Sequence, residues 1–211
     1  MINLVLSRSQ QKGNACVMGD TEQKHTGLIT DAIYDILRAD KRLNIYNIPE
    51  LSMGNDTANL KELVRLSNEF IKANGGTGYH LSIHTDGGYN GSGASGFYYS
   101  DAGSKFGRPI YDEVCALTPW TDMSFKQRTG LYELNSTTAI AFLLEVSFHD
   151  RPEQAKWIHD NIQLIAKTIV KGLYKGLGLE PSSMDNELEK LKTEITRLQN
   201  IIANARKALE V

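Results

Sequence analysis

Two residues carry the sharpest chemical suggestion, His84 and Glu145. His84 closes the alternating stretch Tyr79-His80-Leu81-Ser82-Ile83-His84, in which Leu81 and Ile83 face one way and the two histidines with Ser82 face the other. A glycine-rich loop follows, containing Gly87, Gly88, Gly91 and Gly93. His84 therefore stands at the carboxyl end of an expected strand, where open α/β sheets place their ligand sites. Glu145 ends the apolar run Ala139-Ile140-Ala141-Phe142-Leu143-Leu144. A carboxylate closing a core strand is costly unless it is solvated, paired or bound to a metal. If both strands belong to one sheet, the two side chains face one cleft. An imidazole for a metal ion and a carboxylate for proton transfer are the minimum needed for zinc-assisted hydrolysis. The plain alternatives are a structural histidine and a solvated carboxylate at a strand end.

The other titratable residues divide by position. His80 is four residues before His84, but on a strand that spacing puts the rings about 13 Å apart, so they cannot share an ion and His80 is assigned a structural role. Glu22 follows Thr21 at the start of a helical pattern, where the helix dipole favours a carboxylate. His149, beside Asp150 in the loop after Glu145, either pairs with that aspartate or contacts substrate. His25 and His159 fall on helices and are expected at the surface. Cys16 and Cys115 are too few and too far apart for a disulfide framework or a cysteine zinc knuckle, and read as idle thiols.

The elements that must position these groups alternate between strand and helix. Leu4-Val5-Leu6 reads as a strand entering a polar loop that runs to Asp20. Leu28, Ile29, Ala32, Ile33, Ile36 and Leu37 recur at helical spacing, residues 43–48 read as a strand, and residues 59–73 form a second amphipathic helix stopped by Asn74-Gly75-Gly76. Residues 96–99 read as a strand, 104–117 as a helix, 130–134 and 139–146 as strands, and 152–177 as one long helix opened by Pro152. The near-continuous apolar content of 139–146 marks a central strand buried on both faces. The predicted fold class is α/β: a mainly parallel twisted sheet flanked by helices on both faces, followed by a C-terminal coiled-coil helix.

The expected boundaries are a catalytic domain over 1–178, a linker over 179–186 and an amphipathic helix over 187–211. In the last segment Leu188, Leu191, Ile195, Leu198, Ile202, Ala205 and Leu209 form a heptad seam, with Glu187 and Lys192 at flanking g and e positions. This seam supports a homodimer or higher oligomer, or else one helix docked on its own domain.

Length and composition set the outer limits. The chain has 211 residues, 41% hydrophobic and 23% charged, enough for one cored domain with an appendage. A net charge of −2 gives no global attraction to nucleic acid or an anionic membrane, so neither is an expected partner. The N-terminus lacks a basic segment and an apolar stretch of signal-peptide length, and no run approaches a membrane span. The chain is expected to be made in the cytoplasm and to need another route outward.

In their order along the chain, these pieces resemble the zinc-dependent N-acetylmuramoyl-L-alanine amidases of the third amidase family, found in autolysins and phage endolysins. The similarity covers about residues 2–178. Leu81-Ser82-Ile83-His84-Thr85-Asp86 is similar to the family's S-I-H-[AST]-N, Leu144-Glu145-Val146-Ser147-Phe148 to its [IV]-E-x-x-F, and Thr21-Glu22 to the acid that opens its first helix. The resemblance implies that Glu22 and His84 are zinc ligands and that Glu145 is the catalytic carboxylate. Bacterial peptidoglycan would be the substrate, cut between the lactyl group of N-acetylmuramic acid and L-alanine of the stem peptide. The stretches 85–95 and 118–129 would flank the substrate groove. The implied settings are phage lysis through a holin pore or sporulation.

One departure matters. The family usually has a zinc-binding histidine in a G-H-G-G loop after its first strand, whereas this chain has Leu6-Ser7-Arg8-Ser9-Gln10-Gln11-Lys12-Gly13-Asn14. That loop looks closer to a branch carrying S-P-S-x-Q-x-x-N, matching Gln11 and Asn14. Either Gln11 or Asn14 completes the metal site, or another group such as His149 does; Asn14 and His149 are otherwise expected to contact substrate. An amide oxygen is a weaker zinc ligand than imidazole. The competing functions are a wall-binding homologue that has lost its metal and a zinc peptidase acting within the stem peptide.

Overall fold

Six apolar segments become the strands of one sheet in the computed structural model, which describes residues 1–88, 91–121, 124–180, 194–195, 197–199 and 201–202. The strands are β1 (Ile2–Arg8), β2 (Leu43–Asn47), β3 (Gly78–Asp86), β4 (Ser95–Tyr98), β5 (Ser124–Gln127) and β6 (Ile140–Phe148), in the order β2-β1-β3-β6-β4-β5. The first three and β6 run parallel, while β4 is antiparallel to β6 and parallel to β5. β6 therefore lies between two neighbours. Its Phe142 and Leu144 are fully buried, as the absence of alternation in its sequence required.

The helices are α1 (Glu22–Leu37), α2 (Asp56–Asn74), α3 (Asp101–Leu117), α4 (Tyr132–Ser136), α5 (Pro152–Asp160) and α6 (Ile162–Gly176). Three starts are set by side-chain caps: Thr21 accepts from Lys24 N, Asn55 from Ala58 N and Ser100 from Gly103 N. α2 stops at Gly75, whose φ of 64° is open to glycine at little steric cost. On one side of the sheet Val5 packs with Ile48, Leu51, Leu63, Val64 and Ile71, which seats α2. Alternation turns Leu4 and Leu6 to the other side, and both are fully buried. α1 and α3 each pack against α6.

Three expectations need correction. Residues 130–134 are not a strand: Leu131 and Leu134, three apart, both reach the cluster of Phe97, Ala141 and Leu143, which a helical turn allows. Residues 152–177 are two helices rather than one. Asn161 has φ −122° and ψ 17°, and its side-chain Nδ2 donates to Trp157 O at 2.8 Å while its backbone N–H turns to Ile158 O. A side chain competing for backbone acceptors breaks the ladder there. The short strand β5 was not foreseen, because Ser-Phe-Lys-Gln offers a single apolar residue.

The chain divides into two units, Met1–Gly178 and Leu179–Val211. Most of the heptad seam, including Leu188, Leu191, Ala205 and Leu209, lies outside the described residues. Among the described residues no helix is long and apolar enough to cross a membrane.

Candidate active site

Parallel pairing of β3 with β6 puts His84 directly opposite Glu145 in register. Glu145 is thus inside its strand rather than at its end, because β6 continues to Phe148. The cap at Thr21 starts α1 so that Glu22, its first residue, enters the same space. His84 Nδ1 lies 2.9 Å from Glu22 Oε1. Glu22, His84 and Glu145 form one group whose ligand-type atoms all lie within 4.8 Å of one another. Glu22 is 2% exposed and His84 7% exposed, and Glu145 is partly buried.

A fourth side chain, Glu133 of α4, was not singled out in the sequence. It is buried, accepts from Ser7 Oγ at 2.7 Å, and lies 3.2 Å from His80 Nε2 and 3.6 Å from His84 Nε2. His80, which is also 2.8 Å from Ser7 Oγ and 3.2 Å from Ser67 Oγ, is the structural residue expected. Its ring and that of His84 meet the same carboxylate. Only the oddity of a glutamate between Leu131 and Leu134 could have signalled Glu133.

Electrostatics follow from this crowding. Burial opposes charge on His84, but Glu133, Glu22 and Glu145 hold its pKa well above the ordinary value. Burial first, then Glu22, Asp86 and Glu133, push Glu145 up to about 8 against the opposing pull of His84. Burial alone would raise Glu133 and Glu22 as well, yet their histidine partners draw both below the ordinary range. Three carboxylates around one imidazole leave this pocket short of positive charge.

Two lobes of a cleft meet at these residues. One, of about 480 Å³, is polar and bounded by Gln11, Asn14, Thr85, Gly87 and His149. The other, of about 410 Å³, is bounded by Phe97, Leu131, Tyr132, Lys126 and Arg128. Gln11, His84, Asp86 and Glu145 line both. Asn14 Nδ2 donates to Glu22 Oε2 and to Gln11 Oε1, at 2.6 Å each, and so links the first loop to the centre. His149 Nδ1 is 2.9 Å from Thr85 O, which can only accept, so that nitrogen carries the proton.

His25 and His159 are not the surface residues expected. His25 is fully buried, and His159 has a side chain 26% exposed. With Cys16 and Asp20 they form a second group of metal-capable side chains, again within 4.8 Å of one another. None of the four lines either lobe of the cleft. Burial pushes the Cys16 thiol up to about 11 and the His25 imidazole down. The cysteines are free, as their spacing implied.

The fit of the first group to a divalent cation rests on its atoms. Glu145 Oε2 is buried with no hydrogen-bond partner, the donors are imidazole and carboxylate, and the pocket has a surplus of negative charge. These residues fit a zinc-like ion.

Fold and site together define a class: an α/β domain with a metal-capable, carboxylate-rich cleft at the carboxyl ends of parallel strands. The family is narrower. Residues 7–175 match the Amidase_3 model, described as N-acetylmuramoyl-L-alanine amidase, and the chain belongs to that family. Solved structures share the fold at low identity. The catalytic domain of the amidase CwlV from Bacillus (Paenibacillus) polymyxa matches with a TM-score of 0.71 and 21% identity, over 85% of this chain and 100% of that one. The amidase AmiC2 of Nostoc punctiforme matches with a TM-score of 0.71 and 16% identity, over 84% and 97%. The catalytic domain of the endolysin CD27L, targeting Clostridia difficile, gives 0.67 and 22%, over 86% and 99%. No curated protein sequence matches the chain.

Proposed function

We propose that the chain is a zinc-dependent peptidoglycan amidase that cuts between the lactyl group of N-acetylmuramic acid and L-alanine of the stem peptide. One observation carries this reading: Glu22, His84 and Glu145, from three separate elements, converge on one buried point where Glu145 Oε2 has no partner. Glu22 and His84 would hold the ion, with the Gln11 amide oxygen as a further donor. The ion, when bound, supplies Lewis acidity, polarising the scissile carbonyl and making an attacking water more acidic.

The remaining steps belong to the chain. Glu145 takes the proton of the attacking water and delivers it to the leaving amine of L-alanine. Burial and its acidic neighbours raise its pKa, which favours keeping the proton between the two transfers. Glu133 is a positioning residue, placed to orient His84 through Nε2. Asn14 steadies Glu22, and His149 forms a wall of the polar lobe. A glycan chain suits that polar lobe, while Lys126 and Arg128 beside Phe97 give the other lobe a basic, aromatic wall for the carboxylates of a stem peptide. The enzyme would meet the wall after release, with the tail joining two copies.

Digestion of purified peptidoglycan by wild type and Glu145→Ala, with mass analysis of products, tests the proposal. Wild type should release intact stem peptides and leave peptide-free glycan. The variant should keep its fold and lose nearly all activity. Stem peptides cut internally would mean a peptidase. A wild type that binds walls but releases nothing, with or without added zinc, would mean a binding module.

A further inference from the structure

The group formed by Cys16, Asp20, His25 and His159 is not used by the chemistry above. We propose that it is a second, structural zinc site, which ties the loop carrying Gln11 and Asn14 to α1 and α5. Cys16 and Asp20 come from that loop, His25 from α1 and His159 from α5.

The distances separate a metal site from an ordinary polar cluster. A tetrahedral ion with bonds of about 2.0–2.1 Å to nitrogen or oxygen and about 2.3 Å to sulfur holds its ligands about 3.3 Å apart for nitrogen and oxygen, and about 3.6 Å apart for nitrogen and sulfur. Asp20 Oδ1 is 3.4 Å from His25 Nδ1 and 3.3 Å from His159 Nε2, so one oxygen meets both rings at ligand spacing. Cys16 Sγ is 3.8 Å from His159 Nε2. A histidine–carboxylate hydrogen bond would close to about 2.8 Å. These separations are those of ligands around a shared centre, and all four ligand atoms lie within 4.8 Å of one another.

The surroundings agree. His25 Nε2 is 2.7 Å from Thr85 Oγ1, the shortest contact of that ring. A proton on Nε2 donated to that hydroxyl would leave Nδ1 with its lone pair facing Asp20, which is how an outer partner fixes a ligating tautomer. A thiolate, two imidazoles and a carboxylate select zinc over magnesium or calcium. Four protein donors also fill a tetrahedral shell, as in sites that hold structure rather than substrate. Glu22, His84 and Glu145, by contrast, open onto the cleft.

The position gives the ion a purpose. Residues 9–21 contain no helix or strand, only the single bridge Ala15↔Thr21. Yet the loop delivers Gln11 and Asn14 to the centre, and Asn14 O caps the start of α1 by accepting from Glu22 N at 2.9 Å. Thr85, the outer partner of His25, also donates its backbone N–H to Glu22 Oε1. An ion at Cys16 would thus hold in place the loop that shapes the cleft.

Cobalt(II) substituted for zinc in the whole chain reports the site directly, because a thiolate ligand adds a near-ultraviolet charge-transfer band. The band is expected in wild type, in Cys115→Ser and in Glu22→Gln, and should vanish in Cys16→Ser. His159→Ala, on a partly exposed turn of α5, should lower bound zinc from about two ions per chain to about one. The wild-type spectrum decides even if a variant fails to fold. No thiolate band in wild type overturns the proposal, as does a Cys16→Ser protein that binds as much zinc as wild type. The cleft offers only nitrogen and oxygen donors, so this result is independent of the amidase assay.

Discussion

The charges packed around His84 set one another's ionisation. Glu133 accepts from Ser7 and lies 3.2 Å from His80 Nε2 and 3.6 Å from His84 Nε2, a place from which we propose it orients the ring of His84. Glu133→Gln should weaken metal binding about 10- to 100-fold, in the range for outer partners of ligating histidines. Competition with a chromogenic chelator measures this, and an unchanged affinity with only a lower melting temperature would reduce Glu133 to a structural role. Glu145 makes a pH prediction. Its folded pKa of about 8 lies above the ordinary 4.5, so ionisation opposes folding. Its adverse effect on metal-free stability is absent below about pH 4.5, grows as pH rises through that window, and levels off above about pH 8. Glu145→Gln removes this dependence and should stabilise the metal-free protein at pH 8 by about 1–3 kcal/mol, with little gain at pH 5. Urea unfolding at the two pH values would show it.

Elements hold these residues by close approach as much as by hydrogen bonding. Helix α6 meets α3 where Gly172 faces Ile110, and a Cβ added at Gly172 would lie 2.5 Å from Ile110 Cα. Backbone cannot yield as a flexible side chain can, so α6 would have to move. Gly172→Ala should cost about 1–3 kcal/mol in urea unfolding, while the metal affinity of the cleft stays the same. Break and cap act at this level too. Asn161 ends α5 one residue beyond Asp160, which leaves α5 free to point His159 at Cys16 and Asp20 instead of following the axis of α6. One continuous helix over 152–177 would have had a single direction and could not have done both.

For the molecule as a whole, the question is how one catalytic unit meets an insoluble polymer. The heptad seam of residues 188–209 is our candidate device: two joined copies rebind a wall before either can diffuse away. Removing residues 182–211 should convert a dimer to a monomer by light scattering. The same truncation should slow digestion of whole walls while sparing soluble fragments. An unchanged number of chains per particle before and after truncation would rule the device out.

Much of this was written locally. Caps at Thr21, Asn55 and Ser100, the stop at Gly75 and the apolar run of β6 are decided by neighbours a few residues away, so strand–helix alternation and the candidates Glu22, His84 and Glu145 could be read without coordinates. The segment 130–134 could not, because a five-residue piece takes its form from whatever its two leucines pack against. Nor could Glu133, His25 or His159. Whether a charged or polar side chain is buried, and beside what, depends on contacts such as Ser7 with Glu133, 126 positions apart. Local sequence decides backbone habit through sterics and hydrogen bonds within a turn; desolvation and Coulomb energy depend on distance in space, and only the folded chain sets that.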